Sequence, residues 1–176
     1  MKYFNELQNA MSLVSEQSNV KIVGQTAIAK GTAMHNTLAH IPENKRLEFP
    51  VCEATQLNFS VGLSLNGFNV VSIFPRWNFL LVACSQLVNT LDKLQEISNN
   101  EFIPKVIIRT SIGSKYPLNP KKQHTGDFSE AFDMMLETVK VVRLDSADMI
   151  IPEYKRAIDR KNSTILVEFA DLYNEK

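Results

Sequence analysis

The residue best placed for chemistry in this sequence is Glu53, within "EFPVCEATQLNFSVGLSLNG", Glu48 to Gly67. It stands where a short extended run gives way to an apolar helix. A carboxylate at that point complements the positive end of the helix dipole, worth roughly 0.3–1 kcal/mol. Alternatively, taken out of water with its pKa raised, it exchanges a proton with a bound group. In "GFNVVSIFPRWNF" the rings of Phe74, Trp77 and Phe79 follow a second strand and are expected to crowd the same edge. Rings at such an edge are either core packing or a flat wall for a heteroaromatic ligand. His124, in "QHTGDFSEAF", is either a solvated loop histidine or part of a site, and the preceding loop is basic through Lys115, Lys121 and Lys122. A basic loop is a solvated surface or a rim that attracts anions.

These groups depend on the elements that hold them. Tyr3, Leu7, Met11 and Val14 share a helical face, and "VKIVG" (Val20–Gly24) reads as a short buried strand closed by glycine. "GTAMHNTLAH" suggests a helix, and "RLEFPV" is extended because a residue before proline is driven out of the helical region. Ala54, Leu57, Val61 and Leu65 define a helix stopped by Gly67, "NVVSIF" a strand, and "NFLLVACSQLVNTLDKLQ" one long helix. "KVIIRT" is a strand buried on both faces. After a long loop come a helix near Phe128–Leu136, the strand "VKVVRL", a helix from about Ser146 and the strand "TILVEF". Alternating strands and helices predict an α/β three-layer sandwich: a mainly parallel central sheet with helices on both faces. In such sheets ligands gather beyond the carboxyl ends of the strands, where Glu53 is expected.

Bulk properties narrow the function classes. The 176 residues suit one domain, and 19 Lys+Arg against 19 Asp+Glu create no field for nucleic acid or an anionic membrane. No apolar run is long enough to span a bilayer and the N-terminus lacks a signal-peptide pattern, so a cytoplasmic protein is expected. Cys52 and Cys84 have no CxxC spacing, which argues against zinc; both are expected to be small buried hydrophobes in a reducing compartment. The chain has neither GxGxxG nor GxxxxGK[ST], which disfavours an unrelated nucleotide-binding domain.

The run "VCEATQLNFSVGLSLNGFNVV" resembles a stretch of the β subunits of thiamine-diphosphate-dependent 2-oxoacid dehydrogenases and, more broadly, the pyrimidine-binding domain of transketolase-like enzymes. The similarity continues through "KVIIRTSIG", "QHTGDFSEAF", "VKVVRLDSADM" and "ILVEFADLY", from Tyr3 to Tyr173. The resemblance implies that Glu53 hydrogen-bonds the pyrimidine of thiamine diphosphate and promotes its imino tautomer. It also implies that Phe79 stacks on that ring and that His124 faces the substrate. Departures accompany it: Gln25 and Thr26 stand where the family has Glu-Asp, and Pro75 and Arg76 where it often has Gln-Phe, so the pocket floor is expected to be reshaped. Pro75 is a candidate cofactor contact beside Glu53 and Phe79, and Arg76, Lys121 and Lys122 are candidate substrate contacts.

In this family the cofactor's diphosphate and Mg2+ are held by a second domain bearing Gly-Asp-Gly and paired asparagines, a pattern the sequence lacks. Residues 1–176 are therefore expected to form a single pyrimidine-binding domain, with no diphosphate-binding domain and no C-terminal transketolase-type domain. The resemblance implies a separate diphosphate-binding subunit as partner, a homodimer alone and a heterotetramer with that partner. The reaction expected first is 2-oxoacid decarboxylation. Transketolase-like ketol transfer and a non-catalytic scaffold or regulatory relative are the alternatives.

Overall fold

Alternation along each strand sorts its side chains between two helical layers. Ile22, Val71, Ile73, Ile107 and Leu166 join one buried cluster, while Val23, Val70, Ile108, Ile165 and Val167 join another. The computed structural model describes residues 2–116 and 119–174. Its strands are β1 (Val20–Gly24), β2 (Arg46–Glu48), β3 (Asn69–Ile73), β4 (Val106–Ile112), β5 (Lys140–Arg143) and β6 (Thr164–Phe169). They pair in parallel throughout, in the order β2-β1-β3-β4-β6-β5. The mainly parallel sheet expected from the sequence is thus wholly parallel.

Helices α1 (Tyr3–Ser15) and α7 (Ala147–Asp159) cover one face, with the short α2 (Ala33–Asn36) beside them. Tyr3, Leu7, Met11 and Val14 of α1 are all buried there, as their spacing predicts. Truncating a side chain such as Leu7, which is 0 % exposed, removes about 2–5 kcal/mol. Where the sequence suggested a longer helix over "GTAMHNTLAH", α2 is a single turn that Thr32 caps by accepting from His35 N–H at 3.0 Å.

Helix α3 (Glu53–Leu65) packs on the other face with the segment that follows β3. That segment is the main correction to the expected elements. Instead of one long helix it winds as α4 (Trp77–Leu80), a 3-10 turn (Leu81–Ala83), a π-helical stretch (Gln86–Leu91) and α5 (Leu94–Ile97). Right-handed helical dihedrals continue through the junctions at Leu81, Cys84, Ser85 and Asp92, while Asp92 N–H reaches back five residues to Leu87 O at 3.0 Å. The wider turn shifts the helical phase. It brings Asp92 inward, where its carboxylate accepts from the backbone N–H groups of Glu137, Thr138 and Val139 at 2.8–3.2 Å. These bonds tie the segment to the loop between α6 (Ser129–Met135) and β5.

Two further expectations fail. Phe74 and Trp77 do not crowd the ligand edge: each is 0 % exposed, and Trp77 stacks on Phe132 with ring centroids 5.0 Å apart. Strand parity accounts for Phe74, which continues the alternation of Val70 and falls with it in the α3-side core. The exposed apolar side chains around α3 are instead Val51, just before it, and Phe59 and Leu65 along it, with Leu81 and Val82 on the 3-10 turn. Nor are the cysteines buried: Cys52 is exposed and Cys84 half-buried. Cys52 precedes the helix at its open end, where its Sγ lies 2.9 Å from Thr55 Oγ1.

A buried polar network lies under α1 and α7. Arg109 and Glu168, both 0 % exposed, form a two-pronged pair through Nε at 2.6 Å and Nη2 at 2.9 Å. Tyr154 and Tyr173 donate to the same carboxylate, and Arg109 Nη1 donates to Thr37 Oγ1 at 3.2 Å. Burial lowers the Arg109 pKa, but the Glu168 charge and hydrogen bond together with Tyr154 and Tyr173 outweigh it, and the net shift is upward. Burial raises the pKa of Tyr173, and the Glu168 charge raises it further. Among the described residues no helix is long and apolar enough to cross a membrane.

Candidate functional site

The sheet order turns back between β1 and β3, since β2 lies on one side of β1 and all later strands on the other. Crevices form beyond the carboxyl ends of strands at such a reversal. Gly24 ends β1 with φ +145, and a Cβ there would lie 2.3 Å from Ile73 O and 2.9 Å from Gln56 Nε2. The bare glycine lets α3 approach closely enough for Gln56 to donate to Ile73 O at 2.8 Å and Ser72 Oγ at 3.1 Å. Gln56 lies one turn beyond Glu53, so these bonds anchor the first turn of α3 and fix the carboxylate.

Glu53 is only 6 % exposed. Its Oε1 accepts from Gln25 Nε2 at 3.0 Å, and no side-chain partner engages Oε2 among the described residues. Gln25 belongs to the loop after β1, which Glu48 clamps by accepting from the N–H groups of Thr26, Ile28 and Ala29 at 2.8, 2.6 and 3.0 Å. That clamp holds Thr26 at φ +67, a conformation a threonine rarely adopts unaided. The sequence singled out Gln25 only as a departure; the structure makes it the neighbour of Glu53. Nothing in its local pattern signals that contact, nor the loop-clamping role of Glu48.

A second group assembles where β3 runs into α4. Pro75 O accepts from Ser111 Oγ at 2.6 Å. Arg76 Nη1 donates to Gly113 O at 2.6 Å and to His124 O at 3.0 Å, tying the loop after β4 to the start of α4. Desolvation lowers the Arg76 pKa and the Asp171 charge opposes that shift. The tie sets His124 beside Phe79, their ring centroids 5.2 Å apart and tilted by 56°. His124 Nδ1 and Asn78 Oδ1 are buried without a hydrogen-bond partner among the described residues.

Pro75, Arg76, Phe79 and His124 are therefore brought together. Glu53 joins Gln25 instead, and no hydrogen bond links the two groups among the described residues. Lys121 and Lys122 are exposed on one 3-10 turn (Lys121–Gln123), held by Lys121 N–H donating to Asn119 Oδ1 at 2.9 Å. Pro117 and Leu118 of the same basic loop lie outside the described residues.

The arrangement can be tested against a cofactor with an aminopyrimidine ring. A buried carboxylate with one oxygen free of side-chain partners suits a ring nitrogen. The half-buried Phe79 supplies an aromatic surface, though the tilted His124 ring occupies part of its surroundings. Both lie at strand-to-helix junctions on the same edge of the sheet, so the residues present fit such a group.

No protein-family model and no curated protein matches this sequence. Among solved structures the fold is similar to a chain described as a split gene transketolase, inactive beta4 tetramer. The TM-score is 0.72 at 14 % identity, over 94 % of this chain and 50 % of that one. The chain thus spans about half the length of that neighbour, and its fold is transketolase-like.

Proposed function

We propose that this chain is the pyrimidine-binding half of a thiamine-diphosphate-dependent active site. The observation that carries the reading is Glu53, buried at the reversal of a transketolase-like sheet with one carboxylate oxygen left without a side-chain partner. When bound, the cofactor would supply an electron sink for breaking or making a carbon–carbon bond beside a carbonyl. Glu53 would hold and return a proton at a pyrimidine nitrogen, its position kept by Gln25 on one side and by the Gln56-anchored helix turn on the other. Phe79 would lie against the ring by offset stacking, and His124 would face the substrate. Arg76, Lys121 and Lys122 would attract an anionic substrate. A separate subunit would hold the diphosphate through Mg2+, giving a homodimer of this chain alone and a heterotetramer with that partner, in the cytoplasm.

The sequence resemblance supports 2-oxoacid decarboxylation as the reaction. Ketol transfer is the second reading, favoured by the structural likeness to a split gene transketolase. Two measurements test the half-site. Calorimetry of the isolated chain with magnesium and thiamine diphosphate should find weak binding or none, and sub-micromolar affinity would overturn the division between subunits. Glu53→Gln should leave folding and partner binding intact while lowering turnover of the reconstituted enzyme at least about 100-fold. Turnover close to wild type would remove Glu53 from the mechanism and favour a scaffold or regulatory role.

A further inference from the structure

Strand β5 forms one edge of the sheet and pairs only with β6. Lys140 N–H donates to Ser163 O at 3.1 Å and Leu144 N–H to Val167 O at 2.9 Å, so the backbone groups of residues 140, 142 and 144 turn toward β6. Those of residues 139, 141 and 143 turn away. At Val139 the outward N–H donates to Asp92 Oδ1 at 3.1 Å. No such bond fills the outward groups of Val141 and Arg143 among the described residues. An edge with unpaired N–H and C=O groups is a template for another strand.

A groove of about 190 Å³ lies along that stretch, lined by Ser129, Glu130, Asp133, Val141 and Arg143. At roughly 30 Å³ per water it has room for about six waters, or for one long side chain. Its charges are uneven. Arg143 is already held: Nη1 donates to Asp127 Oδ2 at 2.8 Å, Nε and Nη2 donate to Asp145 Oδ1 at 3.2 Å, and the guanidinium lies 5.0 Å from the centre of the Phe169 ring. Lys140 reaches Asp133 Oδ1 at 3.4 Å. Glu130 has no hydrogen bond or ion pair among the described residues. Asp127, Glu130, Asp133 and Asp145 thus stand against Lys140 and Arg143, four carboxylates to two cations. Glu130, Asp133 and Met134 share a face of α6 by their spacing. Met134 is 89 % exposed and offers an adaptable apolar contact next to the two carboxylates.

We propose that this edge docks an extended peptide segment of another protein, added as a further strand beside β5, with a lysine or arginine of that segment in the groove against Glu130 and Asp133. Main-chain hydrogen bonds to Val141 and Arg143 hold the segment, and the groove selects its side chain. Alternation sends the neighbours of the basic residue to the opposite face, beside the half-buried Val142, where apolar residues fit. A second copy of this chain is a poorer occupant, because it brings the same excess of carboxylates to the contact. Strand β5 is the edge farthest in the sheet order from β2 and β1, so the inference goes beyond the Glu53 reading and does not rest on it.

The test titrates the full chain at low salt with the peptide acetyl-Thr-Val-Lys-Val-Thr-amide and follows the backbone amide signals by NMR. The Val141 and Arg143 amides should shift saturably with Kd on the order of 1 mM. A peptide with glutamate in place of the lysine should bind at least about tenfold more weakly, as should an N-methylated peptide that cannot donate to the edge. Glu130→Lys changes an exposed side chain without a partner among the described residues, so the urea midpoint should stay put while the lysine peptide weakens at least about fivefold. No saturable shift at Val141 and Arg143, equal affinity for either control peptide, or unchanged affinity in Glu130→Lys would each overturn the docking site. Shifts of the same amides that follow the chain's own concentration instead would overturn it in favour of a second copy.

Discussion

Under α1 and α7, the Arg109 and Glu168 charges are wholly buried, and each meets several partners: Glu168 takes bonds from Arg109, Tyr154 and Tyr173, and Arg109 also reaches Thr37. At the carboxyl edge near β1 and β3, polar groups are also buried, but capacity is left over. Glu53 has a single side-chain partner, and His124 Nδ1, Asn78 Oδ1 and Gln56 Oε1 have none among the described residues. An unpaired buried polar atom costs about 1–3 kcal/mol. Burial alone therefore does not tell the two carboxylates apart; Glu168 has its bonds filled by three side chains, and Glu53 has one side-chain partner.

The largest effect should come from the saturated side. Arg109→Met leaves Glu168 buried beside two tyrosine hydroxyls and no cation, a change worth about 3–5 kcal/mol. Urea unfolding should show the loss, and Arg109→Met combined with Glu168→Leu should recover only part of it, since both charges are then gone but the Tyr154 and Tyr173 hydroxyls lose their acceptor. If the single variant unfolds at the wild-type urea concentration, the network is not structural and the contrast with the Glu53 edge fails. Glu53→Gln should by comparison move the unfolding midpoint little, because only one bond to Gln25 is altered.

Asp92 comes next and adds a pH signature. Burial raises its pKa, but the backbone N–H groups of Thr138, Val139 and Glu137 and the Thr138 hydroxyl outweigh that term, and the net shift is downward. A carboxylate whose folded pKa lies below its unfolded value near 3.9 stabilises the fold fully above that value. The contribution then disappears as pH falls through the folded pKa. Asp92→Asn should cost about 1–3 kcal/mol at neutral pH and flatten the loss of stability below about pH 4. An unchanged acid limb in chemical unfolding would mean that other carboxylates govern it.

Legibility from sequence follows the same division. Strand β1 was readable residue for residue and α3 to within one residue, because alternation, the helical repeat and the glycines Gly24 and Gly67 are local signals. The π-helical stretch was not readable, since Leu87 and Leu91 keep a helical spacing whichever way the backbone hydrogen bonds run. Phe74 turns inward because the alternation of β3 runs one residue past Ile73, which a cluster of rings in the sequence does not disclose. Glu53 was legible as a carboxylate at a junction, but its bond to Gln25 spans 28 residues and that of Arg109 to Glu168 spans 59. Pairings at that separation leave no periodic trace.

The smallest expected effect tests charges that are not buried at all. Lys121 and Lys122 are exposed on a single turn held by Asn119 and by Thr125, whose hydroxyl donates to Lys121 O at 2.9 Å. Neither lysine side chain enters those bonds, so Lys121→Ala with Lys122→Ala should shift stability by no more than about 0.5 kcal/mol. Any effect must then come through the field they project over the edge. If the chain forms the half-site proposed above, KM for an anionic substrate in the reconstituted enzyme should rise about two- to fivefold at low salt and approach wild type near 0.5 M salt, where the screening length falls to about 4 Å. Because steering and loose holding act on the ground state and the transition state alike, kcat should stay within experimental error. A salt-independent rise in KM would indicate a direct contact, placing these lysines with the edge residues that bind. An unchanged KM at every salt concentration would make the turn a solvated surface and leave the half-buried Arg76 as the candidate for any charge recognition at this edge.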